Sequence, residues 1–183
     1  QITQGDANYA FPAISPDGSR VTAIKTDPNA LDPAPDIVSI ETGTGNETPV
    51  TTNATTFYET RSAFYPNENA IVFAASEGPD GQSDIFRLAL QGDVQPLPLI
   101  RTTESNETHP VISPDGRYLA YASDRNGDYN VFVTDLETSE TYQVTNVVGD
   151  DVYPEDWFID SLAPGQRTPP LLPLPTPVIP EAP

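Results

Sequence analysis

One histidine and no cysteine are found among the 183 residues of the chain, and this narrows its chemistry before any fold is considered. Without thiols there is no cysteine nucleophile, no disulfide and no thiolate metal site. A zinc site on His109 would have to draw its other ligands from carboxylates, so a structural hydrogen bond suits His109 better than a metal. No Gly-x-Ser-x-Gly elbow occurs, and no Ser, His and Asp grouping has a structural context. No glycine-rich loop is present to cradle a phosphate. The expectation is a protein with no catalytic residues, no cofactor and no metal, and thus not an enzyme.

Two acidic groups remain. Asp124-Arg125-Asn126-Gly127-Asp128 opens like a calcium loop, with hard oxygen ligands at alternate positions, but it lacks the distal ligands and the closing Glu. Asn-Gly between two apolar runs is hairpin chemistry, and we read it as a turn. Asp150-Asp151 with Glu155-Asp156 is read as a solvated loop. Asn46, Asn53 and Asn106 each begin an Asn-x-Thr triplet in or beside expected loops, which makes them glycosylation candidates. With 8 basic against 27 acidic residues and a formal charge of −19, long-range attraction to nucleic acid or anionic lipid is disfavoured. No run approaches the roughly 20 apolar residues of a membrane span. The chain opens on Gln1 without an apolar leader, as expected of a processed chain or a segment of a longer one.

These side chains must be positioned by β-structure, because the chain repeats a strand-and-turn unit. Pro12-Ala13-Ile14-Ser15-Pro16-Asp17-Gly18 lies over Pro110-Val111-Ile112-Ser113-Pro114-Asp115-Gly116, with a weaker copy at Ser62-Ala63-Phe64-Tyr65-Pro66-Asn67-Glu68-Asn69. The prolines at 16, 66 and 114 are spaced by 50 and 48 residues, a propeller-blade period. Pro presets φ at the first central turn position, Asp bonds back to the backbone, and Gly takes a conformation a Cβ resists. On this basis Gly116 is expected to matter more to folding than Gly149. After each turn an alternating strand follows (Arg20 to Ile24, Ala70 to Ala74, Tyr118 to Ala122), then a third strand beginning at Asp36, Asp84 or Asn130, then a short closing strand ending near Thr51, Thr102 or Thr145. Period-2 segments rich in Val, Ile, Phe and Tyr are strands, and no segment has helical periodicity.

The fold class expected is all-β: propeller-type blades of four antiparallel strands, three complete repeats with partial strands at both ends. The blades span about 4–53, 54–104 and 105–146, with a partial blade at 147–160, and together form a domain over 1–162. Gln1-Ile2-Thr3 matches the close of a blade at Gln143-Val144-Thr145. Tyr153 to Phe158 matches a blade opening but lacks the Ser-Pro-Asp-Gly turn. From 163 to 183 a proline-rich tail prefers an extended conformation.

With its Ser-Pro-Asp-Gly-Arg turn, alternating strand and short closing strand, the chain resembles the TolB-like β-propeller repeats over about Gln1 to Phe158. The resemblance is strongest from Thr108 to Thr145 and weakest at the second turn. It implies a propeller used for protein contacts, or the substrate-gating propeller of a serine peptidase. Closed propellers have 4 to 8 blades, and three complete repeats leave two unlike ends, which favour heterologous contacts between copies. The leading expectation is therefore an extracellular or cell-envelope structural protein that assembles head to tail with copies of itself. Its contact residues would be Gln1, Ile2, Thr3, Tyr153, Trp157 and Phe158, with Leu171, Leu172, Leu174, Val178 and Ile179 of the tail docked on a neighbour. Two other readings stay open: a TolB-like module of a larger envelope protein that binds other envelope proteins, and the propeller part of a peptidase whose catalytic domain lies elsewhere.

Overall fold

The computed structural model describes residues 2–3, 6–29, 35–51, 57–77, 81–91 and 95–157. Twelve strands are present and no helix among these residues. They form three antiparallel four-stranded sheets. Blade 1 runs β1 (Asn8–Ile14), β2 (Arg20–Thr26), β3 (Asp36–Glu41) and β4 (Glu47–Pro49). Blade 2 runs β5 (Phe57–Phe64), β6 (Ala70–Glu77), β7 (Ser83–Ala89) and β8 (Leu97–Ile100). Blade 3 runs β9 (Glu107–Ile112), β10 (Tyr118–Ser123), β11 (Asn130–Asp135) and β12 (Thr141–Gln143). Strand order in each sheet is sequence order, so no blade borrows a strand from another. The first strands touch one another, β1 against β5 and β5 against β9, and they therefore form the inner side of the arc.

The reversal between first and second strands is made by the repeated turn. In blade 1 the Gly18 amide donates to the Ser15 carbonyl at 2.9 Å, the Ser15 hydroxyl donates to Asp17 at 2.6 Å, and the Arg20 amide donates to Ser15 Oγ at 3.0 Å. Blade 3 repeats this with Gly116 to Ser113 at 2.8 Å and the Tyr118 amide to Ser113 Oγ at 2.8 Å. Gly18 and Gly116 sit at φ 70° and 80°, the left-handed region that costs a side chain energy. In blade 2 the glycine position is Glu68, which is not at positive φ, and only the flanking Tyr65 amide to Ala70 carbonyl bond of 2.9 Å survives. Gly149 also sits at positive φ, 85°, so the expected contrast between it and Gly116 cannot come from φ. Both positions penalise valine.

Alternation along the second strands decides how blades stack. Ile24 and Ile37 of blade 1 meet Ile71, Phe73, Ala75, Phe86 and Leu88 of blade 2, and the Thr22 and Ser62 hydroxyls bond across this buried junction at 3.0 Å. The opposite face of blade 2, with Val72, Ala74 and Ile85, meets Ile112, Leu119, Tyr121 and Phe132 of blade 3. Each fully buried aliphatic or aromatic side chain here contributes roughly 1.5–3 kcal/mol. The far face of blade 3 buries Tyr118, Ala120 and Val133 beneath Trp157.

The closing threonines have a shared task. Thr51 Oγ1 accepts from the Ile37 amide at 2.8 Å, and Thr145 Oγ1 accepts from the Val131 amide at 2.8 Å. Thr102 instead donates its hydroxyl to the buried Glu107 of blade 3 at 2.9 Å. The two end segments depart from the expected partial strands: neither Ile2-Thr3 nor Tyr153–Trp157 carries a ladder. A propeller strand pairs only within its own blade, and these segments have no blade-mate among the described residues.

Candidate functional site

Each first strand carries a register shift at one place: Ala10/Ala13 in blade 1, Glu59/Arg61 in blade 2, and opposite Ala120/Ala122 in blade 3. A bulge re-aims the side chain it carries. Counting back from the turn prolines, the repeat position at the bulge is Phe11, Arg61 and His109, and Tyr153 continues the series as the residue before Pro154. Phe11 and His109 both precede a proline and both hold φ near +50°. Left-handed backbone at a non-glycine residue costs of order 1–3 kcal/mol, so its recurrence at one repeat position marks a built feature.

These four side chains form a row along the inner side of the arc. The Arg61 guanidinium lies 5.8 Å from the Phe11 ring centroid. The His109 and Tyr153 rings are 4.4 Å apart, and Tyr153 also meets Tyr129 at 5.4 Å. Arg61 Nη2 pairs with Glu155 at 2.9 Å, Arg61 being 26% exposed and Glu155 73%. Burial, with the Arg61 charge beside it, holds the His109 pKa below the ordinary histidine value, against a smaller opposing pull from Glu155. Burial, followed by neighbouring acids beginning with Asp124, pushes the Tyr129 hydroxyl to about 12. At neutral pH the row is thus aromatic with one cation.

Thr108 Oγ1 lies 3.2 Å from His109 Nδ1, but no carboxylate bonds the other ring nitrogen among the described residues, so nothing orients His109 as a general base. Two open clefts, about 230 Å³ beside Arg20, Glu41 and Leu88 and about 350 Å³ beside Asp84, Arg101 and Thr102, lie away from the row and contain no histidine. Among the described residues no three His, Asp or Glu side chains gather as metal ligands, and no helix is long and apolar enough to cross a membrane.

In the two acidic groups Asp124, Asp128, Asp151 and Asp156 bond the backbone, whereas Glu155 pairs with Arg61. Asp124 to Asp128 forms the β10–β11 turn, where the Gly127 amide donates to the Asp124 carbonyl at 2.8 Å. Asp128 accepts from the Gly149 amide at 2.8 Å, and Asp151 from the Tyr129 amide at 2.9 Å. Asn46 is exposed on the β3–β4 turn. Asn106 has its side-chain nitrogen committed to Asp124 at 2.7 Å and its oxygen to the Ser83 amide at 3.1 Å. Ile2 and Thr3 are half-buried, with the Ile2 carbonyl against Gly45. Tyr153 joins the row, and Trp157 donates from Nε1 to the Val111 carbonyl at 3.1 Å, its ring tilted against Tyr118 at 6.4 Å. Gln1, Asn53, Phe158, Leu171, Leu172, Leu174, Val178 and Ile179 lie outside the described residues. Phe11, Arg61 and Tyr129 were not singled out by sequence reasoning; aligning the repeats backward from the turn prolines would have placed Phe11 and Arg61 beside His109.

By sequence alone the chain matches no family model and no curated protein. By structure it is similar to a putative TolB from Agrobacterium tumefaciens, with a TM-score of 0.63 and 20% identity over 79% of this chain and 51% of that one. TolB from Acinetobacter baumannii gives 0.63 and 21%, over 79% of this chain and 34% of that one. A puromycin-hydrolyzing peptidase of Mycobacterium tuberculosis gives 0.60 and 19%, over 79% and 23%. The chain spans about half or less of each of these structures. The fold is that of a TolB-like β-propeller.

Proposed function

We propose that the chain is a non-catalytic propeller module of the cell exterior or envelope, which works by stacking its end blades on those of other copies, head to tail. One observation carries this reading. Ile14 pairs with Val21 at the inner edge of blade 1 and is 65% exposed, whereas its counterpart Ile112, paired with Leu119, is 7% exposed beneath blade 2. Phe64, the counterpart in blade 2, packs against the blade 1–2 cluster. Two of three equivalent positions are thus covered by a preceding blade. Ile14 offers the same contact edge to a blade from outside, beside Phe11, which is also exposed. In this reading the proline-rich segment 163–183 docks on the neighbouring copy.

A second reading takes the same edge as the site for an unlike envelope protein, and is favoured by the likeness to TolB structures. Sedimentation velocity separates the two. The wild-type chain should associate with rising concentration, and Ile14→Asp should stay monomeric with an unchanged far-ultraviolet spectrum, because an exposed position tolerates the change within about 0.5 kcal/mol. A wild-type chain that is monomeric at every concentration would overturn self-assembly and leave the unlike partner.

A further inference from the structure

The segment after blade 3 lies along the first strand of that blade without pairing to it. Among the described residues its backbone bonds to the Tyr129 carbonyl through the Val152 amide, at 2.8 Å, with the Tyr129 amide donating to Asp151, and beyond Val152 its grip comes from alternate side chains. Tyr153 packs at a tilt against His109 and Tyr129, Glu155 pairs with Arg61, and Trp157 bonds the Val111 carbonyl and lies near Tyr118. Positions 153, 155 and 157 fall on one side of an extended chain. Pro154 between the first two has no amide proton to donate and favours the extended form of the residue before it. The Asp156 side chain turns back on the Trp157 amide at 2.7 Å.

Anchoring of this kind is how a bound peptide is held, with side chains at alternate positions read by separate features of the surface. We propose that this slot, bounded by Arg61, His109, Tyr118, Tyr129 and the Val111 carbonyl, recognises extended peptides of the pattern aromatic, proline, acid, any residue, aromatic, and that the chain's own Tyr153–Trp157 fills it in cis. Each anchor has a different chemistry, so the order of residue types in the ligand is specified. A ring is needed over His109, a carboxylate at Arg61, and an indole or phenyl ring at Tyr118. Exchange is open because no ladder has to break. In the Arg61 and Glu155 pair the carboxylate is 73% exposed, and a pair open to solvent on one side holds weakly. The slot meets the blade 1 edge where Arg61 lies over Phe11, and its peptide recognition does not depend on whether Ile14 takes a second copy.

The test uses the full chain and a synthetic peptide, Asp-Val-Tyr-Pro-Glu-Asp-Phe, labelled for anisotropy. Trp157 is the one tryptophan of the chain, so its emission reports departure from Tyr118. Binding should be saturable and should shift Trp157 emission to the red. Glu155→Ala, which weakens the resident segment, should tighten peptide binding about threefold. In the Glu155→Ala background, where the resident segment no longer uses Arg61, Arg61→Gln should weaken peptide binding about threefold, the loss of that same weak ion pair. A scrambled peptide should not bind. Far-ultraviolet spectra confirm that each variant is folded. No saturable binding to the folded Glu155→Ala chain would overturn the proposal, as would equal binding by the folded Glu155→Ala and Glu155→Ala/Arg61→Gln chains or by the scrambled peptide.

Discussion

Blades 1 and 3 share a turn, a strand order and a closing threonine, but they differ in what lies on either side of them. Blade 3 has blade 2 on one face, and Ile112, Leu119, Tyr121 and Phe132 are buried there. Trp157 lies on its other face. Among the described residues blade 1 has a neighbouring blade only on its blade 2 side, and its inner edge shows Phe11 and Ile14 to solvent. The same repeat position is core in one blade and surface in the other. Sequence within a repeat determines the blade, and burial is set by what stands beside it.

The largest expected difference between these blades is in their cores. Leu119→Ala in blade 3 should cost about 2–5 kcal/mol, since Leu119 is fully buried between two sheets and leaves a cavity. The equivalent Val21→Ala in blade 1 should cost well below that, because Val21 is only half-buried. Urea unfolding of the two variants measures both, and equal losses would show blade 1 to be as enclosed as blade 3.

A smaller difference lies at the third turn of each end blade. Gly45 and Ser139 occupy matching places, at φ 75° and 63°, each with its amide donating to the carbonyl four residues back, Glu41 or Asp135. Blade 3 tolerates a side chain there. In blade 1 a Cβ at Gly45 would stand 2.9 Å from the Ile2 carbonyl. Gly45→Ala should therefore cost about 1–3 kcal/mol, and removing residues 1–3 should restore part of it. No recovery would mean that the loss is backbone strain alone.

The smallest effect is in the response to acid, where the two blades have opposite signs. Burial raises the Asp36 pKa above the usual carboxylate value, against the opposing Lys25 charge and the Thr51 hydrogen bond, and Asp36 Oδ1 is buried with no partner. Its contribution to stability is fully present below the unfolded value of 3.8 and is lost as pH rises through the folded value. His109 runs the other way. Its contribution is present above the unfolded value of 6.5 and is lost as pH falls through the lowered folded value. Asp36→Asn, which copies Asn130 of blade 3, should stabilise the chain at neutral pH by up to about 1 kcal/mol. His109→Gln should flatten the decline in stability below pH 6.5. Thermal melts across this range check both, and an unchanged slope in His109→Gln would remove His109 from the acid response.

The blades were legible in the sequence because their signals are local. Ser15 to Gly18 and Ser113 to Gly116 make their turns from four adjacent residues, and alternation in Tyr118 to Ala122 marks a strand without reference to its neighbours. The inner row was not legible, since it depends on three bulges and on the approach of one blade to the next. Nothing beside Arg61 in the sequence marks it as the partner of Glu155, and Phe11 reads as an ordinary strand aromatic. The turn of blade 2 lost its glycine to Glu68, and the copy there was correspondingly faint.

The closing threonine has a consequence for how such a chain changes over generations. Thr51 and Thr145 each tie the end of a blade to that blade's own third strand, and strand order never crosses from one sheet to another. Because each unit meets only its immediate neighbours, a gene could gain or lose one repeat length between two such threonines without rethreading any strand. Each added repeat would bring one further bulge residue to the inner row. Arc length and the chemistry of the row would then be inherited together, in steps of a whole blade.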